Sequence, residues 1–224
     1  MTAQSFDGEK LLGTLKAAQV EDLIKTSVLS GELMKRAPKD FDQLLSTIYQ
    51  EENPYYPLVK YMEEPGDGTA IYTTINRTLR SGKKPSKSLQ EFINHLEASL
   101  NLLPSIQTLS YRGAIYGKKV TGQYQPGVTF EEKGYFSTSV RMAVAERFLK
   151  DELGEQKGDG VLYVIYGTTG KPLSVVADAY TDEAEILYRA KTRFCVTGRS
   201  TLTKSKVLMV FLREVQNSCD DLKK

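Results

Sequence analysis

Two glutamates, a short run of hydroxyls and one arginine are the residues of this chain whose types and spacing could do chemistry. Glu183 and Glu185 lie two apart in Asp182-Glu183-Ala184-Glu185-Ile186-Leu187-Tyr188. On a strand both carboxylates would face the same side, where like charges repel and at least one holds its proton more tightly unless a cation or donor is near. A solvent-facing edge strand could carry the same pair without using it. In Gly134-Tyr135-Phe136-Ser137-Thr138-Ser139 three hydroxyls follow one another, and strand alternation puts Ser137 and Ser139 on one face and Thr138 on the other. A Ser/Thr cluster beside a turn would look the same. The third segment is Tyr111-Arg112-Gly113. An arginine flanked by apolar residues is costly to desolvate unless an anion pairs with it; an edge-strand arginine with its head in water is the plain alternative.

Several chemistries are excluded by count. His95 is the single histidine, which removes a His-Cys metal cluster and an HExxH site and leaves a serine triad only with His95 as base. Its place in an amphipathic helical pattern makes it a partly exposed helix residue. Cys195 and Cys219 are too few for a disulfide framework and read as free thiols in a reducing compartment. No GxGxxG follows a strand. Gly167-Thr168-Thr169-Gly170-Lys171 is too short for a P-loop, and Pro172 stands where a magnesium-binding Ser or Thr is needed, so it reads as a hairpin turn.

Thirty basic residues against 28 acidic ones, with 40% apolar and 26% charged content, describe an ordinary globule with no basic face for nucleic acid. Basic crowding at Arg77, Arg80, Lys83, Lys84 and Lys87 reads first as a solvated helix end, with an anionic partner as the alternative. No apolar run reaches the roughly 20 residues of a membrane span, and the start of the chain does not read as a Sec-type signal peptide.

The elements that must position the three segments are α+β. Helices are expected over Glu9–Leu29, Phe41–Tyr49, Tyr56–Met62, Thr69–Arg80 (stopped by Ser81-Gly82) and Leu89–Leu102, the last with Ser88 and Glu91 as a capping box. After Pro104 the pattern turns to strands: Thr108–Tyr116, Gly134–Ser139, Val161–Tyr166, Leu173–Val176, Glu183–Tyr188, Thr192–Thr197 and Lys206–Val215, interrupted by a helix over Arg141–Leu149. The expected organisation is a helical region over 1–104 (about 70–104 belonging to the catalytic fold), a β-rich core over 105–216 and a frayed tail over 217–224. The core is expected as two small, mostly antiparallel sheets packed as a sandwich under the helical layer.

In the order arginine, Ser-Thr-Ser, Glu-x-Glu, about 25 and about 45 residues apart, the segments resemble the R-S-E class of bacterial mono-ADP-ribosyltransferase toxins and secreted effectors, the class of the actin-modifying binary toxins. Ile75-Asn76-Arg77-Thr78-Leu79-Arg80 resembles a helix those toxins carry upstream. Val128-Thr129-Phe130 leading into Gly134–Ser139 is similar to their second catalytic strand, and Val144-Ala145-Glu146-Arg147-Phe148 to the helix after it. The similarity covers roughly Ala70 to Val215. Residues 1 to about 65 resemble nothing nameable, and a secretion signal, a chaperone-binding segment and part of the helical layer all remain open for them.

The resemblance implies an ADP-ribosyltransferase fold binding NAD as substrate, with no metal, and cleaving the nicotinamide–ribose bond through an oxocarbenium-like transition state. It implies that Arg112 contacts phosphate and that the Gly113 backbone holds the nicotinamide amide. Ser137 would fix the geometry, with Thr138 and Ser139 shaping the strand. Glu185 would bind the ribose 2′-hydroxyl and stabilise the cation, while Glu183 would engage an acceptor arginine. Tyr180 matches a position some relatives use to touch the target, or is an exposed loop aromatic. Phe148 could stack on nicotinamide or belong to the core. The implied partner is a host protein arginine, with a host activator or secretion chaperone within the family's range, and the implied setting is a bacterial protein delivered without a Sec signal into the host cytoplasm. An NAD glycohydrolase and a catalytically idle host-binding module are the rival readings. A vertebrate-type ecto-enzyme is disfavoured by the missing signal peptide and paired cysteines.

Overall fold

The computed structural model describes residues 49–63, 70–116, 118–155, 159–173, 184–202 and 207–223. The helix expected over Glu9–Leu29, nearly all of that over Phe41–Tyr49, and the Leu173–Val176 strand beyond Leu173 lie outside these residues.

Among the described residues, three helices come first. Helix α1 (Tyr56–Met62) starts with a proline in its first turn, where the missing N–H costs nothing. Helix α2 (Ile71–Ser81) stops at Gly82, whose φ of 70° suits a residue without a side chain. Helix α3 (Lys87–Leu102) is capped by Ser86, whose hydroxyl accepts from the Leu89 N–H at 3.3 Å. The expected Ser88 cap is therefore one position pair late: Ser86, extended and following Pro85, takes the N-cap, and Ser88 lies inside the first turn. Leu58, Val59, Ile75, Leu96 and Leu100 lock the three helices into one apolar layer over Tyr135, Leu173 and Leu187.

The strands are β1 (Ile106–Tyr116), β2 (Thr129–Glu132), β3 (Phe136–Ser139), β4 (Asp159–Pro172), β5 (Glu185–Tyr188), β6 (Thr192–Leu202) and β7 (Val207–Val215), with a short helix α4 (Lys118–Thr121) and a longer α5 (Met142–Glu155) between them. They are ordered β1-β3-β5-β4-β7-β6-β2, all neighbours antiparallel except β4 and β7. The two halves expected of a sandwich are joined by β4. Its long first part pairs β1 and β7, and its last two residues, Lys171 and Pro172, pair β5. Alternation along β4 explains why Val161–Tyr166 is apolar throughout: Val161, Tyr163 and Ile165 enter the central core, while Leu162 and Val164 face α5 with Ala145 and Leu149.

Two sequence expectations are corrected here. Gly167–Lys171 is not a hairpin turn but a continuation of β4. Its glycines are there for space: a Cβ on Gly167 would come within 2.3 Å of the Tyr188 hydroxyl, and one on Gly170 within 2.4 Å of Ile186, so β5 side chains cross where β4 has none. The cysteines are not free thiols either. Cys195 on β6 and Cys219 form a disulfide, and the tail expected to fray carries a 3-10 turn over Cys219–Lys223. Asp221 accepts from the Asn217 N–H at 2.8 Å and Thr129 accepts from the Cys219 N–H at 2.8 Å. With a disulfide present, the cysteines no longer argue for a reducing compartment or against an ecto-enzyme. Among the described residues no helix is long and apolar enough to cross a membrane.

Candidate active site

Register does the assembling. Tyr111 of β1 lies opposite Ser139 of β3, and Ser139 lies opposite Glu185 of β5. Three adjacent strands thus bring together segments far apart in sequence, and Arg112, Gly113, Ser137, Thr138, Ser139 and Glu185 all line one cleft of about 380 Å³, a size that suits a small-molecule ligand. Helix α1 contributes Tyr61 and Met62, helix α2 contributes Tyr72, Thr73, Asn76, Arg77 and Arg80, and helix α5 contributes Val144, Ala145 and Phe148.

Each strand residue is held by a distinct contact. Arg112 donates from Nη1 to the Ser137 carbonyl at 2.7 Å and its guanidinium sits over the Phe136 ring at 5.2 Å. Its buried Nε has no partner among the described residues, which leaves a cation with donor capacity to spare in a half-buried position. Thr138 donates to the Ile186 carbonyl at 2.9 Å, tying β3 to β5. Ser139 accepts from the Arg141 N–H at 2.9 Å, which starts the chain into α5. Glu185 is 8% exposed. Gly113 lacks a side chain because α5 packs on it: a Cβ there would meet the Ala145 carbonyl at 2.1 Å. Phe148 is 38% exposed at the rim with Arg147 stacked on it at 5.4 Å, so it belongs to the cleft and not to the core.

Of the expected Glu183/Glu185 pair, the described residues include Glu185 alone. Strand β5 begins at Glu185, and Ala184 before it has φ 45°, in the left-handed region. Glu183 and Tyr180 lie outside the described residues.

The residues sequence reasoning missed come from the helices. Tyr72, Thr73, Asn76, Arg77 and Arg80 fall at helical spacing on one face of α2, and that face is the signal that could have found them. Arg77 and Arg80, read first as a solvated helix end, both border the cleft. Arg80 pairs with Glu132 at 2.9 Å and donates to the Tyr135 carbonyl at 3.3 Å, while Glu132 accepts the Gly134 N–H at 2.9 Å. Gly134 admits this clasp because a Cβ would come within 2.7 Å of Asn76. Tyr135 donates its hydroxyl to Glu97 at 2.6 Å; burial, and then that carboxylate, push its pKa far above the ordinary phenol value.

Residues 68–216 match the family model of the ADP-ribosyltransferase exoenzyme. The chain is 31% identical over 128 residues to an NAD(+)–protein-arginine ADP-ribosyltransferase, Tre1, of Serratia proteamaculans, a match covering 57% of this chain and 26% of that protein. The chain thus spans about a quarter of that relative's length. The fold is similar to that of the Vis ADP-ribosyltransferase of Vibrio splendidus in complex with agmatine (TM-score 0.56, 18% identity, 97% of this chain and 90% of that one). It is also similar to exoenzyme S of Pseudomonas aeruginosa bound to human 14-3-3 protein beta and carba-NAD (TM-score 0.53, 19% identity, 82% and 97%).

Proposed function

The chain belongs to the ADP-ribosyltransferase exoenzyme family, and from that premise we propose that it transfers ADP-ribose from NAD to an arginine side chain of a host protein, releasing nicotinamide. The observation that carries the reading is the β1-β3-β5 register, which gathers a cation with an unmet donor, a hydroxyl strand and a buried carboxylate around one cleft.

In this reading Arg112 holds the NAD phosphates, and Arg77 at the cleft edge adds positive charge on the same side. The Gly113 backbone meets the nicotinamide amide and Phe148 stacks on its ring. Ser137 sets the position of Arg112 through the carbonyl that Arg112 already binds, while Thr138 and Ser139 keep β3 against its neighbours. Glu185 accepts the ribose 2′-hydroxyl and places negative charge beside the developing oxocarbenium ion, in a buried position where that charge acts strongly. The leaving nicotinamide is already cationic in the substrate and needs no general acid. Glu183 engages the incoming guanidinium, whose high pKa makes it a poor nucleophile until a carboxylate takes up its proton, and Tyr180 meets the target surface. An arginine acceptor is supported by the name of the Serratia relative and by agmatine, itself a guanidinium compound, in the Vibrio neighbour. Delivery by a bacterium into host cytoplasm, and a host activator, belong to the same reading; exoenzyme S is in complex with a human protein, 14-3-3 protein beta.

The test separates cleavage from transfer. Glu185→Ala should lower both nicotinamide release without acceptor and labelling of a host lysate by about 10²- to 10³-fold, the usual loss for one preorganised electrostatic contact. Glu183→Ala should abolish labelling and spare much of the acceptor-free release. Equal loss of both activities in both variants would sink the role assignment.

A further inference from the structure

Tyr61 lies upstream of the residues that match the family, yet it lines the cleft. Its side chain is 3% exposed and rigidly framed, edge-on to Tyr135 at 5.6 Å and tilted against Tyr72 at 6.1 Å. What its hydroxyl can do is decided by Asn76. The Asn76 Oδ1 accepts the Tyr135 N–H at 2.7 Å, and because a backbone N–H can only donate, this contact fixes which end of the amide is oxygen. The other end is therefore the NH₂ group, and it donates to the Tyr61 hydroxyl oxygen at 3.2 Å. Tyr61 must accept there, so its own proton points elsewhere. No acceptor for that proton occurs among the described residues. Burial, followed by the negative charge of Glu185, raises the Tyr61 pKa well above the ordinary phenol value, so the proton stays on. Glu185 and Arg112 are also the charged cleft residues of β5 and β1 whose fields reach this hydroxyl.

We propose that Tyr61 is a substrate-binding residue that donates its phenolic hydrogen to the oxygen of the nicotinamide-ribose 2′-hydroxyl, while Glu185 accepts that hydroxyl's own hydrogen. The inference rests on the NAD reading above and deepens it. A ribose hydroxyl is both donor and acceptor, and it is satisfied only between one partner of each kind. Glu185 as a carboxylate can supply only the acceptor; Tyr61 supplies the donor. The result is one directed chain, from the Tyr135 N–H through Asn76 and Tyr61 to the sugar and on to Glu185, in which each bond polarises the next. Helix α1 thereby becomes part of the substrate site, although it falls outside the matched family region.

The experiment compares NAD with its analogue lacking the nicotinamide-ribose 2′-hydroxyl, in the full chain and in Tyr61→Phe. The variant keeps the ring and its packing, so its melting temperature should stay close to that of the unaltered chain. With NAD, kcat/KM for acceptor-free nicotinamide release should fall about tenfold, the effect of one ordinary hydrogen bond. With the deoxy analogue the same substitution should change it less than about twofold, since the partner oxygen is gone. Asn76→Asp gives a second route: a carboxylate at that position draws the Tyr61 proton back out of the cleft, and the preference for NAD over the analogue should shrink in the same way. Equal losses with both substrates, or no loss with NAD, would overturn the proposal while leaving the NAD reading intact. An unaltered chain that neither binds nor splits NAD would overturn both.

Discussion

At one end of the sheet, β1, β3 and β5 carry Arg112, the Ser137–Ser139 hydroxyls and Glu185 into a cleft; at the other, β7, β6 and β2 close around aromatic rings. The cleft end keeps buried polar groups whose hydrogen-bonding capacity is not all used, as the Arg112 Nε shows. Such groups cost stability unless something pairs with them. The far end shows the opposite arrangement. Phe194 sits among Phe130, Phe136 and Tyr188 with ring centroids 5.4 to 5.7 Å away. The Tyr163 hydroxyl donates to the Tyr124 hydroxyl at 2.7 Å, and the disulfide ties the tail to β6. Burial, with Tyr116 and Glu132 adding to it against the opposing Tyr163 hydrogen bond, pushes the Tyr124 phenol up to about 12, so this pair stays neutral across the physiological range. The contrast implies that stability is made at the far end and spent at the cleft, with Phe136 touching both: it packs on Phe194 and lies under Arg112.

The sharpest attempt to break this division is Phe194→Ala. Emptying a fully buried aromatic position should cost about 3–5 kcal/mol of stability, while kcat at a temperature where the variant is still folded should change less than about twofold. Chemical denaturation and nicotinamide release measure the two separately. A large fall in kcat would mean that Phe136 transmits packing to Arg112, and the two ends could no longer be treated as independent.

A smaller effect is expected from the disulfide. Its cysteines are 24 residues apart, and for a loop of that length a cross-link contributes about 3 kcal/mol, chiefly by restricting the unfolded chain. Reduction by a dithiol, or Cys195→Ala together with Cys219→Ala, should lower Tm by roughly 6–12 °C for a chain of this size with cleavage activity unaltered below the transition. Loss of activity before loss of fold would show that the tail, through Thr129 and β2, reaches further into the molecule than the contrast allows.

What was legible in the sequence follows the same division. The α3 stripe of Leu89, Ile93, Leu96 and Leu100 and the short apolar-rich runs of β1 and β7 are local patterns, and the elements appear within a few residues of expectation. Arg112, the Ser137–Ser139 hydroxyls and Glu185 stand out because their chemistry is unusual for strands, and register brings them to one cleft. What escaped depended on partners distant in sequence. Gly167 and Gly170 look like turn residues until Tyr188 and Ile186 cross over them. Cys195 and Cys219 look like spare thiols until β6 and the tail are brought together across β2. The left-handed φ at Ala184, just before β5, is likewise announced by nothing in the residues around it.

Lys171 provides the finest probe of the boundary, since it is a buried cation at the junction of β4 and β5. Its Nζ donates to the Leu103 carbonyl at 2.7 Å, just past the end of α3. Burial, and secondarily the charge of Arg189, lower its pKa below the ordinary lysine value, with Glu97 partly opposing. The unfolded chain therefore binds more protons than the folded one between that lowered value and about 10.5. In that window the Lys171 contribution to stability rises with pH and is fully present only above it. Lys171→Met should cost about 1 kcal/mol near neutrality, because the Leu103 carbonyl loses its donor. The gap between the unaltered chain and the variant should widen as pH climbs towards 10.5 and not narrow. Denaturation midpoints of both chains over that range decide it. A gap that closes with rising pH would mean the lysine is stabilised as a cation, and the helical layer would then belong with the well-satisfied end of the molecule.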